Sequence, residues 1–273
     1  MRTVRELYLW GKKCLREPLE AAILCEEYLG ADRKRIAIDG GAVPEEKDAA
    51  DYIKAVEKRR DGCPLQYILG YAYFCGMKLK VKDGVLIPRE DTRVLVEEAV
   101  RFIGDSPMTG YDLCAGTGAV ALGIASFCPG AGITAAELYP VPMECLIENM
   151  KEYGKGRVQA IKLDVTKAAD ITGLDFIVSN PPYISRGELP GLQAEVRLEP
   201  GEALDGGLDG LDFYRAIVGG WKKSLRPGGL MAFEIGDTQG EQVAHILESS
   251  GFLQVRVIKD FNGLDRVVSA LKE

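Results

Sequence analysis

From Asp91 onward, segments with helical and strand-like patterning alternate almost without interruption, and this alternation constrains the fold more than any other feature of the chain. Apolar residues at helical spacing predict helices over 91–103, 119–127, 141–153, 210–225 and 238–249. Between them, short β-rich runs predict strands near 110–114, 132–136, 158–163, 176–179, 229–235, 253–258 and 267–271. Strands separated by helices need crossover connections, so the expected fold is α/β, with a mostly parallel seven-stranded sheet covered on both faces. The last two strands have little more than Asn262-Gly263-Leu264-Asp265 between them, too short for a crossover helix. They are expected to pair antiparallel.

The first part of the chain has a different character. Helical patterns over 1–16, 18–29, 44–60 and 64–69 predict a small helical bundle. Two β-rich runs, 71–75 and 77–81, flank Gly76 and lead to the turn Lys82-Asp83-Gly84, which predicts a hairpin. The expected organisation is a helical domain over 1–69, a hairpin linker over 70–90 and an α/β domain over 91–273. No apolar run approaches the roughly 20 residues that span a bilayer, and Arg2, Arg5, Lys12 and Lys13 interrupt the N-terminus, so a cytoplasmic protein is expected. Seven scattered cysteines without a C-x-x-C pair argue against a disulfide framework and against a zinc site, and no metal is expected. The net charge of −7 disfavours a bare nucleic-acid binder. The short basic runs Arg33-Lys34-Arg35 and Lys58-Arg59-Arg60 read as solvated helix ends.

Chemistry concentrates at the end of the fourth predicted strand, where Asn180-Pro181-Pro182-Tyr183 follows an apolar run. The two prolines have fixed φ and no N–H, so they turn the chain outward while their carbonyls stay free to accept. The Asn180 amide and the flat Tyr183 ring complete a corner that can grip a planar group carrying an NH2. Such a corner suits amino-group methylation if a methyl donor binds beside it. The donor site is expected at the Gly-rich turn after the first strand, Asp112, Cys114, Ala115, Gly116, Thr117 and Gly118. Glu137 at the end of the second strand suits ribose hydroxyls, and Asp164 with Val165 at the end of the third suits a base; Asn180 borders the donor as well. The rival ligand for a Gly-x-Gly turn is NAD, but the Asn-Pro-Pro-Tyr corner supplies no proton donor suited to hydride chemistry.

The sequence resembles the HemK/PrmC family of release factor glutamine methyltransferases over nearly its whole length. The likeness rests on Arg59-Arg60-x-x-x-Pro64-x-x-Tyr67-Ile68-x-Gly70, Leu86-Ile87-Pro88-Arg89-x-x-Thr92, the Asp112–Gly118 turn and Asn180–Tyr183. It continues through Glu199-Pro200-x-x-Ala203-Leu204-x-Gly206-Gly207-x-Asp209-Gly210-Leu211, Glu234-Ile235-Gly236-x-x-Gln239-Gly240 and Lys259-Asp260-x-x-Gly263-x-Asp265-Arg266. The resemblance implies a Rossmann-like class I methyltransferase domain, S-adenosyl-L-methionine as cofactor and the glutamine of the Gly-Gly-Gln loop of class I peptide chain release factors as substrate. Gly116, Gly118 and Glu137 would bind the donor. Asn180, Pro181 and Tyr183 would carry catalysis, with Pro182 joining them to hold the glutamine amide. A monomer that engages no membrane is expected, with the N-terminal helices as a docking surface for the protein substrate. This chain departs from the family at Cys114, where glycine is usual, at Ala115, where threonine is usual, and at Arg93, where an acid is usual.

Two other readings compete. An adenine-N6 nucleic-acid methyltransferase would use the same corner but needs to flip its base and hold phosphates. A non-catalytic donor-binding protein would bind the donor and transfer nothing. His245, alone of its type, reads as a helix-surface residue. Glu195, Glu199 and Glu202 have no context for paired acid–base work, and Glu199 is expected to shape the substrate loop. The Gly/Asp-rich stretch 205–210 lacks the ligand order of a calcium loop.

Overall fold

The computed structural model describes residues 2–273; Met1, which the first expected helix includes, lies outside the described residues. The chain divides into two compact units. One comprises the residues up to Tyr71 together with Gln193–Leu198, and the other comprises Ala72–Leu192 with Glu199–Glu273.

The smaller unit is a helical bundle of α1 (Val4–Cys14), α2 (Pro18–Leu29), α3 (Arg33–Asp39), α4 (Glu46–Arg60) and α5 (Leu65–Leu69). Thr3 and Glu6 form a capping box at the start of α1: Thr3 N–H donates to Glu6 Oε2 at 2.7 Å and Glu6 N–H to Thr3 Oγ1 at 3.3 Å. Pro18 opens α2 and Gly30, at φ +60°, closes it. The short α3 falls where the sequence shows only a basic run. Its cap is Asp32, whose carboxylate accepts from Arg35 N–H at 2.7 Å, and Ile36 alone is buried, so periodicity could not reveal it. Leu7, Leu24, Cys25, Tyr52 and Val56 form the core of this unit. Arg59 is no part of a free basic patch: it pairs with Glu20 at 2.8 Å and with Glu195, on the 193–198 segment, at 2.7 Å.

The larger unit begins with a two-stranded sheet whose strands are β1 (Tyr71–Phe74) and β2 (Met77–Lys80). Its helices are α6 (Arg93–Ile103), α7 (Ala119–Phe127), α8 (Pro140–Tyr153), α9 (Asp212–Trp221) and α10 (Gly240–Ser249). Its main sheet contains β3 (Thr109–Leu113), β4 (Gly132–Glu137), β5 (Val158–Lys162), β6 (Leu174–Ser179), β7 (Leu225–Glu234), β8 (Phe252–Lys259) and β9 (Asp265–Lys272). The order across the seven strands is β5-β4-β3-β6-β7-β9-β8. The first five in that order are parallel, while β9 runs antiparallel to both β7 and β8, as the short connection requires.

Alternate residues of the central strands enter two different cores. Phe176 and Val178 of β6 pack with Leu95, Leu122 and Ile124 of α6 and α7, whereas Ile177 packs with Tyr214, Trp221 and Val243 of α9 and α10. Burial on both faces explains why these strands read as continuous apolar runs rather than as alternating ones. Phe74, Met77 and Leu79 of the hairpin belong to the α6–α7 side of this core. The strand expected from 229 begins earlier, at Leu225. Leu225 pairs with Leu174, and a register shift before the Leu230–Phe176 pair absorbs Pro227 and the following glycines. Among the described residues no helix is long and apolar enough to cross a membrane. All seven cysteines are free thiols.

Candidate active site

Leu113 at the end of β3 pairs with Ala136 of β4 on one side and with Ser179 of β6 on the other. The three strands therefore end level, and the residues just beyond or at their ends, Cys114, Glu137 and Asn180, come together. They line a cleft of about 320 Å3 at the carboxyl edge of the sheet, where ligands of open α/β sheets bind. Leu163, Asp164 and Val165 from the end of β5 complete its far wall.

Each predicted donor residue has a distinct place. Glu137 is buried, and its carboxylate accepts from Gly116 N–H at 2.8 Å, Leu138 N–H at 2.7 Å and Tyr139 N–H at 2.9 Å. Three backbone donors fix its orientation and leave lone pairs over for a ligand hydroxyl. Gly116 has φ +56°, and nothing lies within 4 Å of where a Cβ would begin, so the turn leaves open space beside Glu137 that a ligand can enter. Gly118 (φ +82°) instead packs inward, since a Cβ there would stand 2.5 Å from Leu146 Cδ1. Asp112 is also inward: it is buried behind the turn, accepts from Ala121 N–H at 2.9 Å, and burial pushes its carboxyl up to about 7. Cys114 and Ala115 line the cleft, and Cys114 holds a left-handed backbone, φ +62°. Its thiol is raised far above the usual cysteine range by burial and then by Glu137. Asp164 stays low because the Thr166 hydroxyl donates to it at 2.6 Å.

At the other wall, Asn180 and Pro182 line the cleft. Pro181 is buried and Tyr183 half-buried, with the Tyr183 ring against the α9–α10 core. Asn180 Nδ2 donates to Thr92 Oγ1 at 3.3 Å. The corner is held rigid from behind. Gln239 Nε2 donates to the Tyr183 carbonyl at 2.9 Å, Ser179 Oγ to the Leu113 carbonyl at 2.6 Å, and Ile184 pairs with the 204–206 backbone. Gly210 makes this packing possible, because a Cβ there would lie 2.4 Å from the Tyr183 carbonyl oxygen. The Gly/Asp-rich stretch is thus the packing partner of the corner.

The structure therefore gathers Cys114, Ala115, Gly116, Thr117, Glu137, Asp164, Val165, Asn180 and Pro182 on one cleft, whereas Asp112, Gly118, Pro181 and Tyr183 are not among the residues that line it. Sequence reasoning missed two contributors, Thr92 and Asn149, and expected a third, Glu199, to shape the substrate loop. Thr92 reaches Asn180 from the start of α6; its only signal was its place in the Leu86–Thr92 motif. Glu199 is buried, accepts from Ile87 N–H at 3.0 Å and pairs with Arg89, tying that same motif to the loop after the corner. Asn149, fully buried on α8, accepts from Lys80 N–H at 2.7 Å and donates to the Lys80 and Thr117 carbonyls at 3.1 and 3.0 Å. Nothing in its sequence context marks it. His245 is exposed on α10 and lies on none of this.

The sheet order, the acid at the end of β4 and the Asn-Pro-Pro-Tyr corner at the end of β6 define a class I methyltransferase domain. The family described as the PrmC N-terminal domain matches residues 6–70, and that described as the methyltransferase small domain matches residues 91–195. A release factor glutamine methyltransferase of Geobacter sulfurreducens is 38% identical over 97% of this chain and 95% of its own length. One of Moorella thermoacetica is 39% identical over 82% of this chain and 80% of its own. The chain belongs to the release factor glutamine methyltransferase family. The hMettl16 catalytic domain, solved in complex with the MAT2A 3'UTR hairpin 6, has a TM-score of 0.61 at 15% identity with 86% of each chain covered, a likeness of fold alone.

Proposed function

We propose that this protein methylates the side-chain amide nitrogen (N5) of the glutamine in the Gly-Gly-Gln loop of class I peptide chain release factors, with S-adenosyl-L-methionine as donor, in support of translation termination. The observation that carries this reading is the opening of the Asn180 corner onto the same cleft as Glu137 and Gly116. The donor, when bound, supplies an electrophilic methyl group on a sulfonium. Glu137 would accept the ribose hydroxyls, the open backbone at Gly116 would admit the methionine end, and Val165 with Asp164 would border the base.

The difficulty of the reaction lies in the nucleophile, because the lone pair of an amide nitrogen is delocalised into its carbonyl. Asn180 Oδ1 and the Pro181 carbonyl would accept both N–H bonds of the glutamine, aim its nitrogen and stabilise the positive charge that develops there. Pro182 and the exposed part of Tyr183 would bound the amide plane. The nitrogen becomes acidic as it is methylated, so no strong general base is required. The helical unit would dock the protein substrate. This reading makes 1–69 the docking domain, 70–90 the hairpin linker and 91–273 the catalytic domain, in a protein acting as a monomer in the cytoplasm.

The test is transfer of labelled methyl to a purified class I release factor, to its loop Gln→Ala variant and to adenine-containing oligonucleotides. Label is expected on the first alone, and label on the oligonucleotide instead would overturn the reading. Asn180→Ala is expected to lose about 100-fold in kcat while binding the donor normally.

A further inference from the structure

Glu234 ends β7 with its carboxyl group buried, 2% exposed, behind the Asn180 corner. Its Oε2 has no hydrogen-bond partner, an arrangement that calls for a reason in a folded protein. Its surroundings point to Asn180. The Thr92 hydroxyl and the Asn180 amide are among the polar neighbours that favour its ionised form, and Asn180 Nδ2 donates to Thr92 Oγ1 at 3.3 Å. An ionised carboxylate can only accept. With Glu234 ionised, the Thr92 proton turns toward it, the Thr92 lone pair faces Asn180, and the Asn180 amide presents its NH2 edge to this side.

We propose that Glu234 is a positioning residue: acting through Thr92, it holds the Asn180 amide with Oδ1 toward the cleft, the orientation in which Asn180 can accept a hydrogen bond from a substrate NH2 group. The proposal rests on the function proposed above and deepens it, since that function needs Asn180 as an acceptor. Were the amide turned over, the corner would offer a donor to a donor.

The arrangement depends on the charge of Glu234. Burial pushes its carboxyl up to about 7, Asp91 adds to the rise, and Thr92, Arg266 and Asn180 oppose it. Tyr183 and Tyr214 also face it, and their hydroxyls are raised first by burial, so both are neutral near pH 7. Once protonated, Glu234 becomes a donor and can pair with the Asn180 oxygen, which then leaves the cleft. Turnover is expected to rise with pH as Glu234 ionises, through a midpoint near 7.

The test compares wild type with Glu234→Gln, which keeps the shape and removes the charge. The readouts are kcat against pH with release factor as substrate, donor affinity by calorimetry and the thermal unfolding midpoint. A fall in kcat of about tenfold or more is expected, with the acid limb of the profile lost and with donor affinity and unfolding midpoint preserved. Thr92→Val is expected to reproduce most of the loss, and the double variant to be no worse than Glu234→Gln, because the two act as one relay. A Glu234→Gln enzyme with wild-type kcat or an intact acid limb would overturn the proposal. So would a loss that merely tracks weaker donor binding or a lower unfolding midpoint. If the wild-type protein itself methylates no release factor, the underlying function falls with it; normal wild-type transfer beside an unchanged variant overturns the role of Glu234 alone.

Discussion

Cys114 stands where the backbone needs φ +62°, a conformation that costs a side-chain-bearing residue about 1 kcal/mol or more and glycine almost nothing. The family resemblance implied glycine at this position; the backbone angle behind it was not legible in the sequence. Cys114→Gly relieves the strain but gives up thiol packing and loosens the unfolded chain, so its stability is expected to stay within about 1 kcal/mol of wild type. Cys114→Val, β-branched in the same conformation, is expected to cost about 2 kcal/mol or more. Urea unfolding of the two variants checks both values. Asp112 teaches a related lesson. Its place in an Asp-x-x-x-Gly-x-Gly turn reads as ligand contact, yet its carboxylate points back to the Ala121 N–H and braces the turn from below. A motif identifies which residues belong together but does not say which of them face the ligand.

Among the elements, the hairpin of β1 and β2 is tied to α8 by two side chains, Tyr153 at Lys78 and Asn149 at Lys80. Asn149 satisfies both polar groups of Lys80 and the Thr117 carbonyl of the donor turn. Its loss leaves the buried Thr117 carbonyl and the half-buried Lys80 groups without their partner, so Asn149→Ala is expected to destabilise the protein by about 2 kcal/mol. Because one of those groups belongs to the turn, donor affinity is expected to fall as well. Denaturant unfolding and donor titration measure the two effects, and a variant with normal donor affinity would show that Asn149 serves the hairpin alone. Elements with strong periodicity, such as α2 or β6, were legible because one repeated face is buried. The α3 helix and the early start of β7 were not, since the first buries only Ile36 and the second carries Pro227 through a register shift.

For the molecule as a whole, buried acids set an unusual response to pH. Asp112 is held up to about 7 by burial, against about 3.9 in an unfolded chain. The native state therefore binds more protons between these values, and stability falls as pH rises from about 4 to 7, by up to about 4 kcal/mol for this group. Glu234 adds a term of the same sign, raised first by burial. Surface acids work in the opposite sense. Asp164, kept low by Thr166, and Asp209, kept low by Arg215, contribute stability that is lost as pH falls through the carboxylate range. The unfolding midpoint is expected to be highest near about pH 5 and lower at pH 8, and Asp112→Asn to remove much of that decline. At the same scale, if the helical unit docks the substrate, a short Gly-Gly-Gln peptide is expected to show a kcat/KM about tenfold or more below that of the intact release factor. Equal values would leave the unit without a docking role.

The sequence alone determined the α/β class, the antiparallel end of the sheet and the family, because periodicity, connection length and local motifs are properties of neighbours along the chain. It also singled out Asn180, Glu137 and Gly116, each marked by the strand end or turn on which it sits. Only the tertiary structure decided which motif residues face the cleft and which brace it, and that Thr92, Asn149, Glu199 and Glu234 stand behind them. Those contacts join residues up to 112 positions apart, as Ile87 and Glu199 are. Hydrogen-bond partners chosen by packing at such separations leave no periodic trace in a single sequence.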